Sequence, residues 1–235
     1  MKAIILAAGK GTRMLPLTET IPKVLIPVNG KPFLWYVLEN LRKAGITEYG
    51  IVAGYMKEKV EQFCAEYRKE HPCQATILHQ SEQRGTAHAL QQARKFCGLE
   101  QFIVQGGDNL FAVEDLKTIQ KDDSFCYIMG KEEQQWQKYG VLVLEGKNVV
   151  KIVEKPPKFV GNVINTGLYK FTPEIWQALD KVQLSPRGEY ELTDALTLLA
   201  EKKKLRYLPL KGYWLDLGTN GDVSKIEAFL RTKSI

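Results

Sequence analysis

The sequence predicts an α/β protein: a doubly wound, mainly parallel sheet with helices on both faces and a smaller β-rich lobe in its second half. Three observations carry that expectation. Short β-branched runs alternate with amphipathic stretches through the first half, the pattern of strand–helix–strand units. After about residue 124 the strands become shorter and the helices fewer. With 235 residues, 44% apolar and 10% aromatic, the chain has the length and the side chains to bury one such core. A single domain over 1–235 is expected, with halves at 1–123 and 124–235.

Residues 2–8 read as a strand, the apolar run Ala3 to Ala8 after Lys2 being of the kind a strand buried on both faces needs. The run is too short for a secretory signal and breaks at Gly9-Lys10-Gly11. Phe33, Leu34, Val37, Leu38 and Leu41 follow at helical spacing, stopped by Gly45. Strands are expected around 49–53, 75–79 and 102–104, with helices over 57–69 and from Thr86. The second half reads as strands near 125–129, 140–144, 149–153 and 164–171. Helices then fall at 173–181, 191–203 and 220–232, with Asn220 placed to cap the last. Open parallel sheets bind ligands beyond the carboxyl ends of their strands. The loops after residues 8, 80 and 104 should therefore share one crevice.

Charge and cysteine usage narrow the classes. Lys and Arg total 33 against 27 Asp and Glu, a net +6 spread along the chain. A nucleic-acid binder would carry a denser basic stripe with interleaved aromatics, so no nucleic-acid partner is expected, and Lys202-Lys203-Lys204 reads as a solvated helix end. No apolar stretch approaches the roughly 20 residues of a membrane span, so no membrane partner is expected. Cys64, Cys73, Cys97 and Cys126 contain no C-x-x-C, and His71 between the first two matches no zinc-ligand spacing. Reduced thiols and a cytoplasmic location are the expectation.

The unusual residues sit in the strand-end loops. Gly9, Gly11 and Thr12 beside Arg13 combine close backbone approach to phosphate with a forked guanidinium donor. The dinucleotide motif G-x-G-x-x-G would need a third glycine where Met14 stands, and the P-loop spelling does not occur. A glycine turn with an exposed arginine is the plainer alternative. Lys23, within Pro22-Lys23-Val24-Leu25-Ile26-Pro27-Val28, is a second candidate phosphate clamp. Gln80, Gln83, Gly85 and Thr86 offer amides to the edge of a base, the glycine letting the ring lie on backbone. Asp108 ends the next strand as a first ligand for Mg²⁺, which one or two carboxylates plus substrate oxygens usually hold. Asp216, between Leu215 and Leu217, is expected to be partly buried and paired with a cation. Glu154-Lys155 and Asn165-Thr166 supply acid, amine, amide and hydroxyl for a sugar and its phosphate, each equally open to a structural role.

In order along the chain these motifs resemble the sugar-1-phosphate nucleotidyltransferases, or nucleotide-sugar pyrophosphorylases, from Met1 to about Thr219. The signature L-A-A-G-x-G-T-R-M-x-P-L-T is complete at Leu6 to Thr18, and P-K-x-L-x-P-V at Pro22 to Val28. The resemblance implies a Rossmann-like, GT-A-like nucleotidyltransferase fold with the β-rich half binding sugar. It implies nucleotide contacts by Leu6, Ala8, Gly9, Gly11, Thr12, Arg13 and Lys23, and base contacts by Gln80, Gln83, Gly85 and Thr86. It further implies Mg²⁺ on Asp108 and Asp216, sugar contacts by Gly140, Glu154, Asn165 and Thr166, and sugar phosphate on Lys155. Gln80-x-x-Gln83-x-Gly85-Thr86-x-His88-Ala89 and Gly188-Glu189-Tyr190-x-Leu192-Thr193-Asp194 are similar to uridylyltransferases acting on N-acetylglucosamine-1-phosphate. Thymidylyltransferases carry Gly-Leu-Ala where Gly85-Thr86-Ala87 stands, which places dTTP with glucose-1-phosphate second. Bifunctional members continue into a left-handed β-helix acyltransferase; with the sequence ending at Ile235, no acetyl-CoA step is expected. Relatives commonly assemble as dimers or tetramers, so a homo-oligomer is an expectation by analogy.

The expected reaction is attack of a sugar-1-phosphate oxygen on the α-phosphorus of a nucleoside triphosphate, releasing pyrophosphate. The competing class is a regulatory protein that binds nucleotide sugars without catalysis. Retention of Arg13, Lys23, Asp108 and Asp216 together argues for the enzyme.

Overall fold

The structure, a computed structural model, describes residues 1–233; the last two residues of the expected 1–235 domain lie outside it. The first half runs β1 (Lys2–Ala7), the hairpin β2 (Pro27–Val28) and β3 (Lys31–Pro32), α1 (Phe33–Lys43), β4 (Glu48–Ala53), α2 (Lys57–Glu70) and β5 (Gln74–His79). It continues through α3 (Thr86–Gln91), α4 (Arg94–Cys97), β6 (Phe102–Gly106), β7 (Asn109–Phe111) and α5 (Val113–Thr118). The second half comprises β8 (Cys126–Glu132), β9 (Gly140–Glu145), β10 (Asn148–Glu154), β11 (Val163–Phe171), α6 (Glu174–Leu179), α7 (Leu192–Glu201), β12 (Leu205–Pro209), β13 (Trp214–Asp216) and α8 (Asn220–Lys233). The helix expected from Thr86 is broken in two, because the chain leaves the α3 ladder at Gln92 and resumes at Arg94.

One nine-stranded sheet organises both halves in the order β5-β4-β1-β6-β11-β8-β12-β10-β9. The first four strands are parallel. β11 then runs antiparallel to both β6 and β8, and β9 folds back to pair with β11 at Ile164 and Val141. The expected β-rich half is present and is built as an extension of the same sheet. The reason is the open side of β6: Phe102, Ile103 and Val104 are fully buried, and their backbone is matched by Phe171, Lys170 and Tyr169 of β11. Buried backbone N–H and C=O groups require such partners.

The alternation of β1 divides the core between the two faces of the sheet. Ala3, Ile5 and Ala7 pack with Phe33, Leu34, Val37, Leu38 and Leu41 of α1 and with Leu230 of α8. Ile4 faces the other way, into a cluster holding Leu90, Phe102, Phe171, Trp176 and Leu196. Each buried Val, Leu, Ile or Phe among them contributes roughly 1.5–3 kcal/mol. The cap of α8 is also corrected. The Asp222 carboxylate accepts from the Thr219 N–H (2.7 Å) and hydroxyl (2.8 Å), a capping box, while Asn220 Nδ2 donates to the Leu15 carbonyl at 3.2 Å.

Candidate functional site

The carboxyl ends of β1, β5 and β6 open onto one crevice of about 630 Å³. Leu6, Ala8, Gly9, Gly11 and Thr12 line it from the first loop, Gln80, Gln83, Gly85 and Thr86 from the second, Asp108 and Asn109 from the third, and Glu154 from β10. A smaller compartment of about 240 Å³ adds Arg13 and Lys23 and shares Gly9, Gly11, Thr12 and Asp108 with the larger one.

Local geometry explains the loop sequences. Gly11 sits at φ +66°, and a Cβ there would lie 3.0 Å from both Lys23 Cβ and Thr18 Cγ2. Its carbonyl accepts from the Thr18 hydroxyl at 2.9 Å. Gln83 Nε2 donates to the Ala8 carbonyl at 2.7 Å, tying the second loop to the first. Gly85, at φ 101° and ψ 176°, occupies backbone space that essentially only glycine enters. A Cβ at that position would stand 2.5 Å from the Tyr190 carbonyl oxygen. The Ala87 N–H donates to that carbonyl (2.9 Å), the Tyr190 N–H to the Arg84 carbonyl (2.8 Å), and the Leu192 N–H to Thr86 Oγ1 (3.0 Å). Gln80, 3% exposed, points Nε2 at the Gly85 carbonyl and at His88 Nδ1. Oε1 is then its amide atom without a partner among the described residues.

The acidic end is built by a two-stranded ribbon. β13 pairs antiparallel with β7, setting Asp216 opposite Asn109, and the Leu217 N–H donates to the Asp108 carbonyl at 2.9 Å. Asp108 Oδ1 accepts from Asn109 Nδ2 at 2.8 Å, and Oδ2 accepts from Lys23 Nζ at 2.5 Å. Trp214 Nε1 fixes Asn109 through Oδ1 at 2.7 Å. The burial expected for Asp216 is corrected: its side chain reaches solvent, because Leu215 and Leu217 point to the opposite face of the strand. Protein crowded around the rest of the carboxyl, and then the negative charge of Asp108, raise its pKa against the pull of Lys23 and Arg13.

Among the residues expected to contact sugar, Glu154 lines the crevice, and Gly140 lies opposite it in the β9–β10 ladder. A Cβ on Gly140 would stand 2.8 Å from Glu154 Oε2, so the glycine makes room for that carboxylate. Lys155 is exposed, with φ +42° and its N–H on the Tyr139 carbonyl. Asn165 spends both amide atoms holding the Gly167 N–H and the Tyr169 hydroxyl, the residues that do line the crevice. Thr166 is not brought there: it is 2% exposed and its hydroxyl donates to the Met129 carbonyl at 2.8 Å. Sequence reasoning gave no role to Asn109, Gly167, Tyr169, Arg187, Glu189, Glu191 or Thr193, which line the same crevice. Arg187, Glu189 and Glu191 form a polar run before α7 and Thr193 lies in its first turn, and Glu189 and Thr193 belong to the 188–194 stretch that carried part of the resemblance.

The donor set suits Mg²⁺: two neighbouring carboxylates, one already holding a cationic side chain, beside open space for substrate oxygens. No group of three or more His, Cys, Asp or Glu that could hold a metal occurs among the described residues. His71 instead lies 3.5 Å from the buried Glu39 carboxylate. No helix among the described residues is long and apolar enough to cross a membrane.

The crevice lies beyond the carboxyl ends of the parallel strands, the place where open α/β sheets take their ligands. The sequence profile described as nucleotidyl transferase matches residues 2–233, and the chain belongs to that family. It is 38% identical over 235 residues to the bifunctional protein GlmU of Methanocaldococcus jannaschii, covering 99% of this chain and 55% of that one. It thus spans about half the length of the first curated relatives it matches. It is 36% identical over 241 residues to the UTP–glucose-1-phosphate uridylyltransferase AglF of Haloferax volcanii, covering 100% and 98% of the two chains. The crystal structure of a UDP-glucose pyrophosphorylase complexed with UDP-glucose superposes with a TM-score of 0.87 at 26% identity, covering 99% of this chain and 98% of the other.

Proposed function

We propose that the chain transfers a nucleotidyl group from a nucleoside triphosphate, UTP by preference, to glucose-1-phosphate or N-acetylglucosamine-1-phosphate, releasing pyrophosphate. The observation that carries the reading is the ion pair of Lys23 with Asp108 where the small compartment opens into the larger crevice, with Asp216 on the neighbouring strand close enough to feel the charges of both. A sugar-phosphate oxygen attacks the α-phosphorus, and the bond from that phosphorus to the bridging oxygen breaks as pyrophosphate departs. The nucleophile needs no general base, since a phosphate monoester with a second pKa near 6 is largely dianionic at neutral pH. Catalysis reduces to holding two polyanions in line and stabilising the charge that moves.

The chain's own groups divide that work. Backbone N–H groups of Gly9 to Thr12 cradle the triphosphate, and Arg13 and Lys23 take charge on the departing pyrophosphate. Lys155 holds the attacking phosphate, and Glu154 accepts from sugar hydroxyls. Gln80 Oε1 accepts the N3–H of a uracil ring lying against Gly85. Asp108 and Asp216 would hold Mg²⁺, which supplies positive charge to phosphate oxygens. The UTP preference rests on the 80–88 spelling, supported by the uridylyltransferase named among the relatives. Buried Cys64, Cys97 and Cys126, all unpaired, fit a reducing, cytoplasmic setting.

The test is pyrophosphate release with Mg²⁺ across UTP, dTTP, GTP, CTP and ATP, each paired with glucose-, N-acetylglucosamine-, mannose- and N-acetylmuramate-1-phosphate. UTP with one of the first two sugars is the expected pair. A dTTP preference keeps the mechanism and removes the reading of Gln80 to His88, and silence from folded protein removes the enzyme.

A further inference from the structure

Both oxygens of Asp108 have partners within the chain. Oδ1 accepts from Asn109 Nδ2 at 2.8 Å and Oδ2 accepts from the Lys23 ammonium at 2.5 Å. The lysine is held there from below: it opens a one-turn 3-10 helix after Pro22, its Cβ packs beneath Gly11, and its side chain is only 11% exposed. Mg²⁺ takes its oxygen ligands at about 2.0–2.1 Å, an approach that an ammonium on the same oxygen obstructs by volume and by charge. The two cations therefore compete for one place.

We propose that Lys23 is a stand-in cation: it occupies Asp108 Oδ2 until nucleotide arrives, and its transfer to phosphate opens Asp108 to metal. The proposal rests on Asp108 being a metal ligand, as read above. Metal arriving alone must push a poorly exposed ammonium off the carboxylate it is paired with. Metal arriving with a triphosphate finds the ammonium a new anionic partner in the compartment it shares with Arg13 and the glycine loop. Lys23 is thus a gate as well as a clamp, and it makes metal and nucleotide bind cooperatively. It also keeps Asp108 and the nearby Asp216 from collecting a metal ion in the absence of substrate.

The measurement is Mn²⁺ binding to metal-free protein without nucleotide, followed by electron paramagnetic resonance, for the wild type, Lys23→Met and Lys23→Arg. Lys23→Met keeps the stem and removes the charge, and should bind Mn²⁺ about tenfold more tightly, within the roughly 5- to 150-fold range of couplings between ligands. Lys23→Arg should stay weak. Arg13→Met, which removes a nearby cation that does not touch Asp108, measures the general electrostatic effect and should gain less than about threefold. Adding Asp108→Asn to Lys23→Met should abolish the gain. Equal Mn²⁺ affinity in wild type and folded Lys23→Met, including no detectable binding by either, overturns the proposal, and so does an equal gain in Arg13→Met. Wild-type pyrophosphate release is scored separately. An active enzyme with no gain in Lys23→Met loses the gate alone, whereas a gain in an inactive enzyme keeps the gate and loses the proposed reaction.

Discussion

Replacing Gly85 with alanine tests how the second loop is held. The native backbone, at φ 101° and ψ 176°, lies in a region essentially closed to a residue with a Cβ, at a cost of about 1–3 kcal/mol. The new methyl would also stand 2.5 Å from the Tyr190 carbonyl oxygen and 2.7 Å from its nitrogen, both backbone atoms with little freedom. Relief requires the 84–87 loop and the 190 segment to separate. That breaks the hydrogen bonds from Ala87 to Tyr190 and from Tyr190 to Arg84, each contributing about 1 kcal/mol. A total near 2–3 kcal/mol follows if the loop moves rather than staying strained, which for a chain of this size lowers Tm by roughly 5–10 °C. Because Gly85 and Gln80 share the crevice, nucleotide affinity should fall with it, read by calorimetric titration with UTP alongside thermal unfolding. Gly9→Ala is the control for stability: nothing lies within 4 Å of its added Cβ. A Gly85→Ala protein with wild-type Tm and wild-type UTP affinity would falsify this account of the loop.

Three further outcomes are expected. Asp108→Asn should cost on the order of 100- to 1,000-fold in turnover, measured as pyrophosphate release, and near-normal turnover removes the residue from the mechanism. Lys170, fully buried, donates to the Asp123 and Phe125 carbonyls at 2.8 and 2.9 Å. Lys170→Met orphans both acceptors and should lose about 2–4 kcal/mol in urea unfolding; a loss under about 0.5 kcal/mol refutes that bookkeeping. Burial pushes the Glu39 carboxyl upward, but hydrogen bonds from Arg42 and Tyr67 outweigh it and hold its pKa below the ordinary 4.5. The unfolded chain thus binds the extra proton first, so this contribution is full above about pH 4.5 and lost as pH falls through the depressed folded value. Unfolding free energies between about pH 3 and pH 6 should fall more steeply on acidification in wild type than in Glu39→Gln, and parallel profiles argue against it.

The parallel half of the fold was legible because strands buried on both faces spell continuous apolar runs, as residues 3–8 do. What escaped was pairing between distant segments. β7 and β13 are three residues each, carry no periodicity of their own, and exist because Asn109 to Phe111 meets Trp214 to Asp216 across about a hundred residues. β12 was hidden behind Lys202-Lys203-Lys204. The site divides the same way. Its loops could be read from glycine and carboxylate spelling at strand ends, whereas Asn165 and Thr166 look equally polar on paper. Only the fold shows that one props Tyr169 and Gly167 while the other is turned inward to Met129. The cap of α8 was spelled locally, since Thr219 and Asp222 have capping-box spacing, but the more conspicuous Asn220 drew the assignment.

The antiparallel seam between β6 and β11 has a cost during synthesis. β6 is complete at Gly106, but the strand that covers its outer side ends only at Phe171, about 65 residues later, roughly 3–13 s at ordinary translation rates. For that interval the emerging half exposes a row of open N–H and C=O groups backed by Phe102, Ile103 and Val104, a template for any neighbouring chain. Ribosome-bound chains should therefore be most vulnerable to aggregation while their length lies between these two strands, and the vulnerability ends when β11 docks.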